Sequence, residues 1–307
     1  MARILTHRKI FLTLFVLFTF QHTGALAGDI LVVQSARFPV YNDALQGLET
    51  VILRDVPARG LKAILPHTIS NRILSEANNP QDLKQEIIRQ RPDLIVVIGS
   101  SSLSLVKDIR EIPIIYLLVP KPESIIGSRA KVTGIKMHIT AGQQLNSLIL
   151  MVPETRRIGL IYDPENTGTL VKYAEEFAKR RNISIVSRPV NTSREVPAQL
   201  AGLKGKIDWY WMVPDQTVIT PDTLDHIFLF SLENRIPILT FAEKYLKLGA
   251  VLSVSFDAED MGKQAGEQAL QILNGTKVSD LPPVQARKVN IRVNQMAAET
   301  LGVKIRE

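Results

Sequence analysis

Residues 91–119 read RPDLIVVIGSSSLSLVKDIREIPIIYLLV. Two apolar, β-branched runs, Asp93–Ile98 and Ile112–Val119, flank a helical stretch, Ser100–Ile109. A short, uninterrupted apolar run is the mark of a strand buried on both faces. Between the first strand and the helix lies Gly99-Ser100-Ser101-Ser102. A glycine lets the backbone turn tightly, and serines suit the cap of a helix start. Strand, helix and strand in succession are the unit of a parallel sheet covered by helices.

The same alternation extends in both directions. Upstream, Asp29–Gln34 reads as a strand and Pro39–Arg54 as a helix whose Ala44, Leu48, Val51 and Ile52 fall on one side. Leu61–Pro66 reads as a weaker second strand, and Asn79–Gln90 as a helix with Pro80 in its first turn. Val132–Met137 is a further short strand. The pattern then restarts with a helix at Ala141–Met151, a strand at Arg157–Tyr162 and a helix at Thr169–Arg181. Strands follow at Ile183–Pro189, Trp209–Val213, Pro237–Phe241, Ala250–Phe256 and Val289–Val293. Helices are expected at Val196–Leu203, Pro221–Asn234, Asp260–Leu273 and Gln295–Leu301. Two successive series imply an α/β fold of two doubly wound parallel-sheet lobes. A single eight-stranded barrel is the competitor, and the restart after Gly142 and the irregular end argue against it.

The first 27 residues stand apart. Arg3, Arg8 and Lys9 precede an apolar run, Ile10–Phe20, and a small-residue stretch ending Ala25-Leu26-Ala27. That is the pattern of a cleavable secretory signal peptide, with a mature chain starting at Gly28 or Asp29. The alternative is an uncleaved anchor, but eleven residues rise only about 16 Å against a bilayer core of roughly 30 Å. The chain has no cysteine, so an exported fold must be held by its core and offers no site for lipid anchoring. The expected location is the periplasm. Without Arg3, Arg8 and Lys9 the net charge falls from +7 to +4. The remaining cations are scattered, which excludes a nucleic-acid face.

In open parallel sheets ligands bind beyond the carboxyl ends of the strands. That rule selects Ser35, Arg37, Phe38 and Tyr41 after the first strand, and Gly99, Ser100 and Ser101 in the quoted stretch. In the second series it selects Tyr162, Asp163, Asn166 and Thr167, then Asp215 and Gln216, then Thr240 and Phe241. A helix start at Ser100 and Ser101 would suit a ligand carboxylate, although Ser100 also fits as a cap of its own helix. Asp215 would pair with a ligand ammonium or serve as a turn residue. Phe38, Tyr41 and Phe241 would stack on an apolar ligand or pack into the core. Trp209 and Trp211 share a strand face and are expected to pack under a helix.

Catalytic chemistry has little support. There is no thiol, no G-x-S-x-G elbow and no Walker A stretch. His67, His138 and His226 are far apart and lack metal-ligand spacing. Neither a cofactor nor a metal is expected.

Eight segments, in order, resemble the type I periplasmic binding proteins. Within them they are similar to the ABC-transporter substrate-binding branch that includes tryptophan- and tyrosine-associated members. The segments are VVQSARFPVYNDALQGLE (32–49), RPDLIVVIGSSSLSLVKDI (91–109), IPIIYLLVPKP (112–122), VTGIKM (132–137), VPETRRIGLIYDPEN (152–166), IDWYWMVPDQ (207–216), GAVLSVSFDAEDMGKQAGEQALQILNG (249–275) and LPPVQARKVNIRVNQMAAETLGV (281–303). One departure stands out: similar proteins read Asp-Pro where this chain has Lys121-Pro122. The resemblance implies three crossovers between lobes, near Thr140, Phe256 and Gln285. Residues 28–139 with 257–284 would form the first lobe, and 140–256 with 285–307 the second. It further implies a clamp that captures an amino acid or related carboxylate and presents it to an ABC permease. A periplasmic sensory component that presents ligand to a signalling protein is the alternative.

Overall fold

A computed structural model describes residues 28–54, 67–127 and 131–306. The expected signal peptide, Met1–Ala27, and the expected strand at Leu61–Pro66 lie outside the described residues.

The first run of elements is β1 (Gly28–Gln34), α1 (Pro39–Ile52), β2 (His67–Ile73), α2 (Pro80–Gln90), β3 (Leu94–Ile98), α3 (Ser100–Val106), β4 (Ile114–Leu117), α4 (Glu123–Ile126) and β5 (Val132–Lys136). The second is α5 (Ala141–Met151), β6 (Arg157–Tyr162), α6 (Pro164–Lys179), β7 (Ser184–Pro189), α7 (Val196–Ala201), β8 (Trp209–Trp211), α8 (Pro221–Asn234), β9 (Ile238–Thr240) and β10 (Leu252–Phe256). The chain then returns as α9 (Ala258–Leu273) and β11 (Val284–Gln285), and ends with β12 (Val289–Val293) and α10 (Gln295–Leu301).

These strands build two sheets, ordered β11-β5-β4-β3-β1-β2 and β12-β10-β9-β8-β6-β7. Every pairing is parallel except β10 with β12. The chain therefore passes between the lobes three times: after β5, after β10 and after β11. Gln285 pairs with Lys136 and so stays with the first sheet.

The quoted stretch sits at the centre of the first sheet. Along β3, Leu94, Val96 and Ile98 join one core cluster, with α1 and α9, while Ile95 and Val97 join the other, with α2 and α3. That is the two-residue period of a strand covered on both faces. The second lobe repeats the arrangement. Trp209 and Trp211 pack with α5 and α6, as expected, and Tyr210 faces α7 and α8.

Helices α1 and α9 approach very closely. A Cβ on Gly47 would lie 1.9 Å from the Glu259 carbonyl oxygen, and one on Gly262 would lie 1.9 Å from that of Ala44. Glycines in helix interiors are unfavourable on their own. Here they permit backbone contact between a helix from the start of the chain and one that arrives after the whole second lobe.

Some boundaries differ from the sequence reading. The second strand is β2 at His67–Ile73, a polar edge strand with little apolar pattern to announce it. Helix α6 starts at Pro164 rather than Thr169, because Asp163 caps it through the Glu165 N–H and Pro164 takes the first turn. Asn166 and Thr167 therefore lie on a helix, not a loop.

Candidate functional site

The carboxyl-end loops of the first sheet form one cluster. Gly99 is the N-cap of α3, with φ +97°, and makes no side-chain cap. The expected capping by Ser100 is replaced by Ser35. Its hydroxyl oxygen accepts from the Ser102 N–H at 3.0 Å and lies 3.2 Å from the Ser102 hydroxyl. A Cβ on Gly99 would meet the Tyr41 hydroxyl at 2.5 Å and the Ser35 hydroxyl at 2.6 Å. Ser35, Tyr41, Gly99, Ser100 and Ser101 thus gather around one glycine-permitted turn. Burial raises the Tyr41 phenol above its ordinary pKa, which keeps it a donor. Phe38 packs edge-on against Tyr41 and remains 52% exposed on the lip. Arg37, at the same lip, is paired with Glu76.

A second cluster forms in the other lobe around Asp215, which is 1% exposed. Its oxygens accept from the Asp163 N–H at 2.8 Å, the Thr167 hydroxyl at 2.5 Å, the Thr217 N–H at 2.9 Å and the Val218 N–H at 3.3 Å. The Asn166 amide reaches Asp215 at 3.4 Å and the Thr217 hydroxyl at 3.0 Å, and that hydroxyl donates to Asp163 at 2.7 Å. Asp163, Asn166, Thr167, Asp215 and Thr217 are one network that joins the ends of β6 and β8. Tyr162 packs partly buried against the lobe's core. Thr240 does not reach the lobe surface: it is fully buried, with its hydroxyl on the Met212 sulfur at 3.5 Å, because it points to the opposite face of β9 from Leu239.

Between the lobes, beside the crossovers, lies a cavity of about 420 Å³. The first lobe and first crossover supply Pro120, Lys121, Met137, His138 and Ile139. The second lobe supplies Gln144, Leu170, Pro214, Gln216, Phe241, Val254 and Phe256. A neighbouring cavity of about 620 Å³ shares Phe241 and Phe256 and opens between the start of α1 and residues 241–243. Phe241 therefore reaches the cleft, whereas Pro120, Met137, His138, Gln144 and Leu170 were missed by the sequence reading. The rule of strand carboxyl ends, applied to β4 and β5 as well, would have selected the first three.

The cleft floor is held in place from beneath. The Trp211 indole N–H donates to the Gln144 side-chain oxygen at 2.9 Å, and the Gln144 amide donates to the Ile139 carbonyl at 3.3 Å. On the first-lobe side, Leu118 takes φ +52°, a backbone state that non-glycine residues seldom adopt. It turns the chain sharply at the end of β4, and the Ser124 hydroxyl, at 2.8 Å from the Lys121 carbonyl, fixes the loop that follows. Burial and, to a lesser extent, the charge of Lys136 hold the His138 imidazole below its ordinary pKa, which favours its neutral form at pH 7. Among the described residues no group of His, Cys, Asp and Glu is disposed to hold a metal ion. None of their helices is long and apolar enough to cross a membrane.

Two lobes, three crossovers and a cleft at the strand carboxyl ends describe a binding clamp. Residues 58–307 match the family model of ABC transporter substrate binding proteins. The chain belongs to that family. This ABC substrate-binding chain is 26% identical over 233 residues to a tyrosine-binding protein of Clostridioides difficile (strain R20291), a match covering 73% of this chain and 67% of the relative. Its fold is similar to the ligand-free, open structure of a substrate-binding protein with adhesive properties from Clostridium difficile. That likeness has a TM-score of 0.70 at 22% identity and covers 90% of this chain and 95% of the other. It is also similar, with a TM-score of 0.55 at 20% identity, to an ABC domain in complex with L-Trp from Streptococcus pneumonia, covering 92% of this chain and 96% of the other. These structural likenesses bear on the fold.

Proposed function

We propose that this ABC substrate-binding chain is an exported, non-catalytic clamp that captures an amino acid or related small carboxylate between its lobes and delivers it to an ABC permease. The observation that carries this reading is the interlobe cavity of about 420 Å³, which draws its lining from both lobes and from the first crossover. Its volume falls within the roughly 300–1,000 Å³ usual for small-molecule sites. Its walls are mostly apolar with a few polar groups, the composition of a site that encloses a small organic molecule. The tyrosine-binding relative supports an amino-acid-like ligand, and the basic, apolar and Ala-Leu-Ala succession over Met1–Ala27 supports export.

A ligand that touches both lobes binds the closed form better than the open one and shifts the population toward it. The closed rim is then the surface a permease reads. Ser35, Tyr41, Ser100 and Ser101 act as first-lobe lip contacts, and Asn166 and Phe241 act from the second lobe. Asp215 acts beneath them by holding Thr167 and Asn166.

Thermal melting of the purified chain against amino acids, other small carboxylates, purines and sugars tests the reading. At one hundred times its dissociation constant a ligand adds about 2.7 kcal/mol and raises Tm by several degrees. The expected result is a shift with one carboxylate class, recovered chemically unchanged. A shift with sugars or purines alone, or conversion of the bound molecule, would overturn it.

A further inference from the structure

Resting on the clamp reading above, we propose that the cavity selects an apolar monocarboxylate that carries no ammonium group, and that Lys121 is the residue that sets this choice. The cavity wall is apolar at Met137, Ile139, Leu170, Phe241, Val254 and Phe256. Its polar members are Lys121, His138, Gln144 and Gln216, and no carboxylate among the described residues lines it. Lys121 is exposed, lines the cleft and takes part in none of the ion pairs among the described residues. The loop that carries it is fixed by the Leu118 turn and by Ser124. His138 enters in its favoured neutral form, which donates or accepts a hydrogen bond without demanding a counter-charge.

A zwitterionic ligand needs an anion beside its ammonium, because a desolvated, unpaired charge is costly. Most carboxylates near the cavity are already committed, and none among the described residues lines it. Asp215, next to the lining residue Gln216, is buried and accepts from four backbone or hydroxyl donors. Glu123, two residues beyond Lys121, is paired with Lys136 at 3.1 Å. In the adjoining cavity, Glu243 accepts from Asn290 at 2.8 Å, Asp257 caps the Asp260 N–H at 2.9 Å and Glu259 pairs with Lys263 at 2.6 Å, while Asp43 is exposed on α1 and lies outside the lining of the 420 Å³ cavity. The Gln144 oxygen is taken by Trp211. What the cavity offers is one cation, neutral amides and two phenylalanines: a seat for a carboxylate with a branched or aromatic tail.

Matched pairs that differ only at the α-carbon test this by calorimetry on the purified chain: phenylpyruvate against phenylalanine, and 4-methyl-2-oxopentanoate against leucine, with 3-phenylpropanoate and phenethylamine as single-charge probes. The expected result is at least tenfold tighter binding of the 2-oxo acid than of its amino acid, about 1.4 kcal/mol, and no binding of phenethylamine. Lys121→Ala should lose tenfold or more for the 2-oxo acids, and Lys121→Asp should reverse the order toward phenethylamine. Lys121 is exposed, so neither variant threatens folding. If phenylalanine or leucine binds as tightly as its partner, the proposal is overturned while the clamp for amino acids stands. If Lys121→Ala binds the 2-oxo acids unchanged, Lys121 does not set the choice. Should no probe bind and the wider carboxylate panel leave Tm unmoved, both this proposal and the carboxylate clamp fall together.

Discussion

Asp215 shows how far a single residue can be read. Its place after an apolar strand marks it as a site residue, and the sequence leaves a ligand contact and a turn residue equally open. The structure encloses it, 1% exposed, among donors from the start of α6 and from the loop that follows β8. No periodicity in the sequence could announce this, because the donors come from Asp163 and Thr167, some fifty residues upstream. Replacing it with alanine would leave several buried donors without acceptors, each costing about 1–3 kcal/mol. We expect Asp215→Ala to lower stability by roughly 3 kcal/mol in urea unfolding with an unchanged slope. A loss under 1 kcal/mol combined with a large drop in ligand affinity would instead make Asp215 a direct ligand contact. Lys121 is the opposite case. Lys121-Pro122 departs from the Asp-Pro that the family resemblance implies, but its meaning depends on the neighbouring wall residues, which come together only in the fold.

At the scale of elements, the central strands were legible because runs such as LIVVI and RIGLIY are short, β-branched and bounded by turn residues, as strands buried on both faces are. Strand β2, with the sequence HTISNRI, was not, since an edge strand needs no continuous apolar run. The short β11 and the single turn of α4 carry too few residues for any period to show. Helical glycines divide the same way. Gly262 and Gly168 both stand inside helices, and the sequence does not distinguish them. Their surroundings do: a Cβ at Gly262 meets the Ala44 carbonyl oxygen at 1.9 Å, while one at Gly168 meets nothing nearer than the Pro164 Cβ at 3.9 Å. Alanine removes about 1 kcal/mol of glycine's helical penalty at either site. At Gly262 the clash forces α1 and α9 apart, and we expect Gly262→Ala to lose about 2–3 kcal/mol net. Gly168→Ala should gain about 0.5–1 kcal/mol. Chemical unfolding of the two variants side by side checks both signs, and a gain at Gly262 would contradict the close packing of these helices.

For the whole molecule, the question is how the lobes move. Each crossover is anchored at one lobe by side-chain bonds. The first leads into α5 through a capping box between Thr140 and Gln143, with bonds of 2.9 and 3.2 Å. The second ends at Asp257, which caps α9. The third is tied to the first lobe by Arg287, whose guanidinium bridges Asp260 at 2.9 Å and Glu267 at 3.0 Å, and by Gln264, which bonds the Gln285 carbonyl and the Arg287 N–H. Between these anchors the connections are short, Met137 to Ile139, Asp257 and Lys288, and the last two are joined by the Asp257 N–H donating to the Lys288 carbonyl at 3.3 Å. Closure should then be a rotation of two intact bodies, as hinges of this kind permit. The chain contains no cysteine, so paired spin labels attach only where thiols are introduced. With Asn42→Cys on α1 and Glu165→Cys on α6, both exposed, the inter-label distance should shorten by several ångströms when a melt-shifting ligand is added. It should stay constant with a compound that leaves Tm unmoved. A pair placed within one lobe, such as Asn42→Cys with Gln81→Cys, should not change in either case. Shortening within that pair would mean that binding reshapes a lobe, and an unchanged distance across the cleft would mean that the ligand is held without closure.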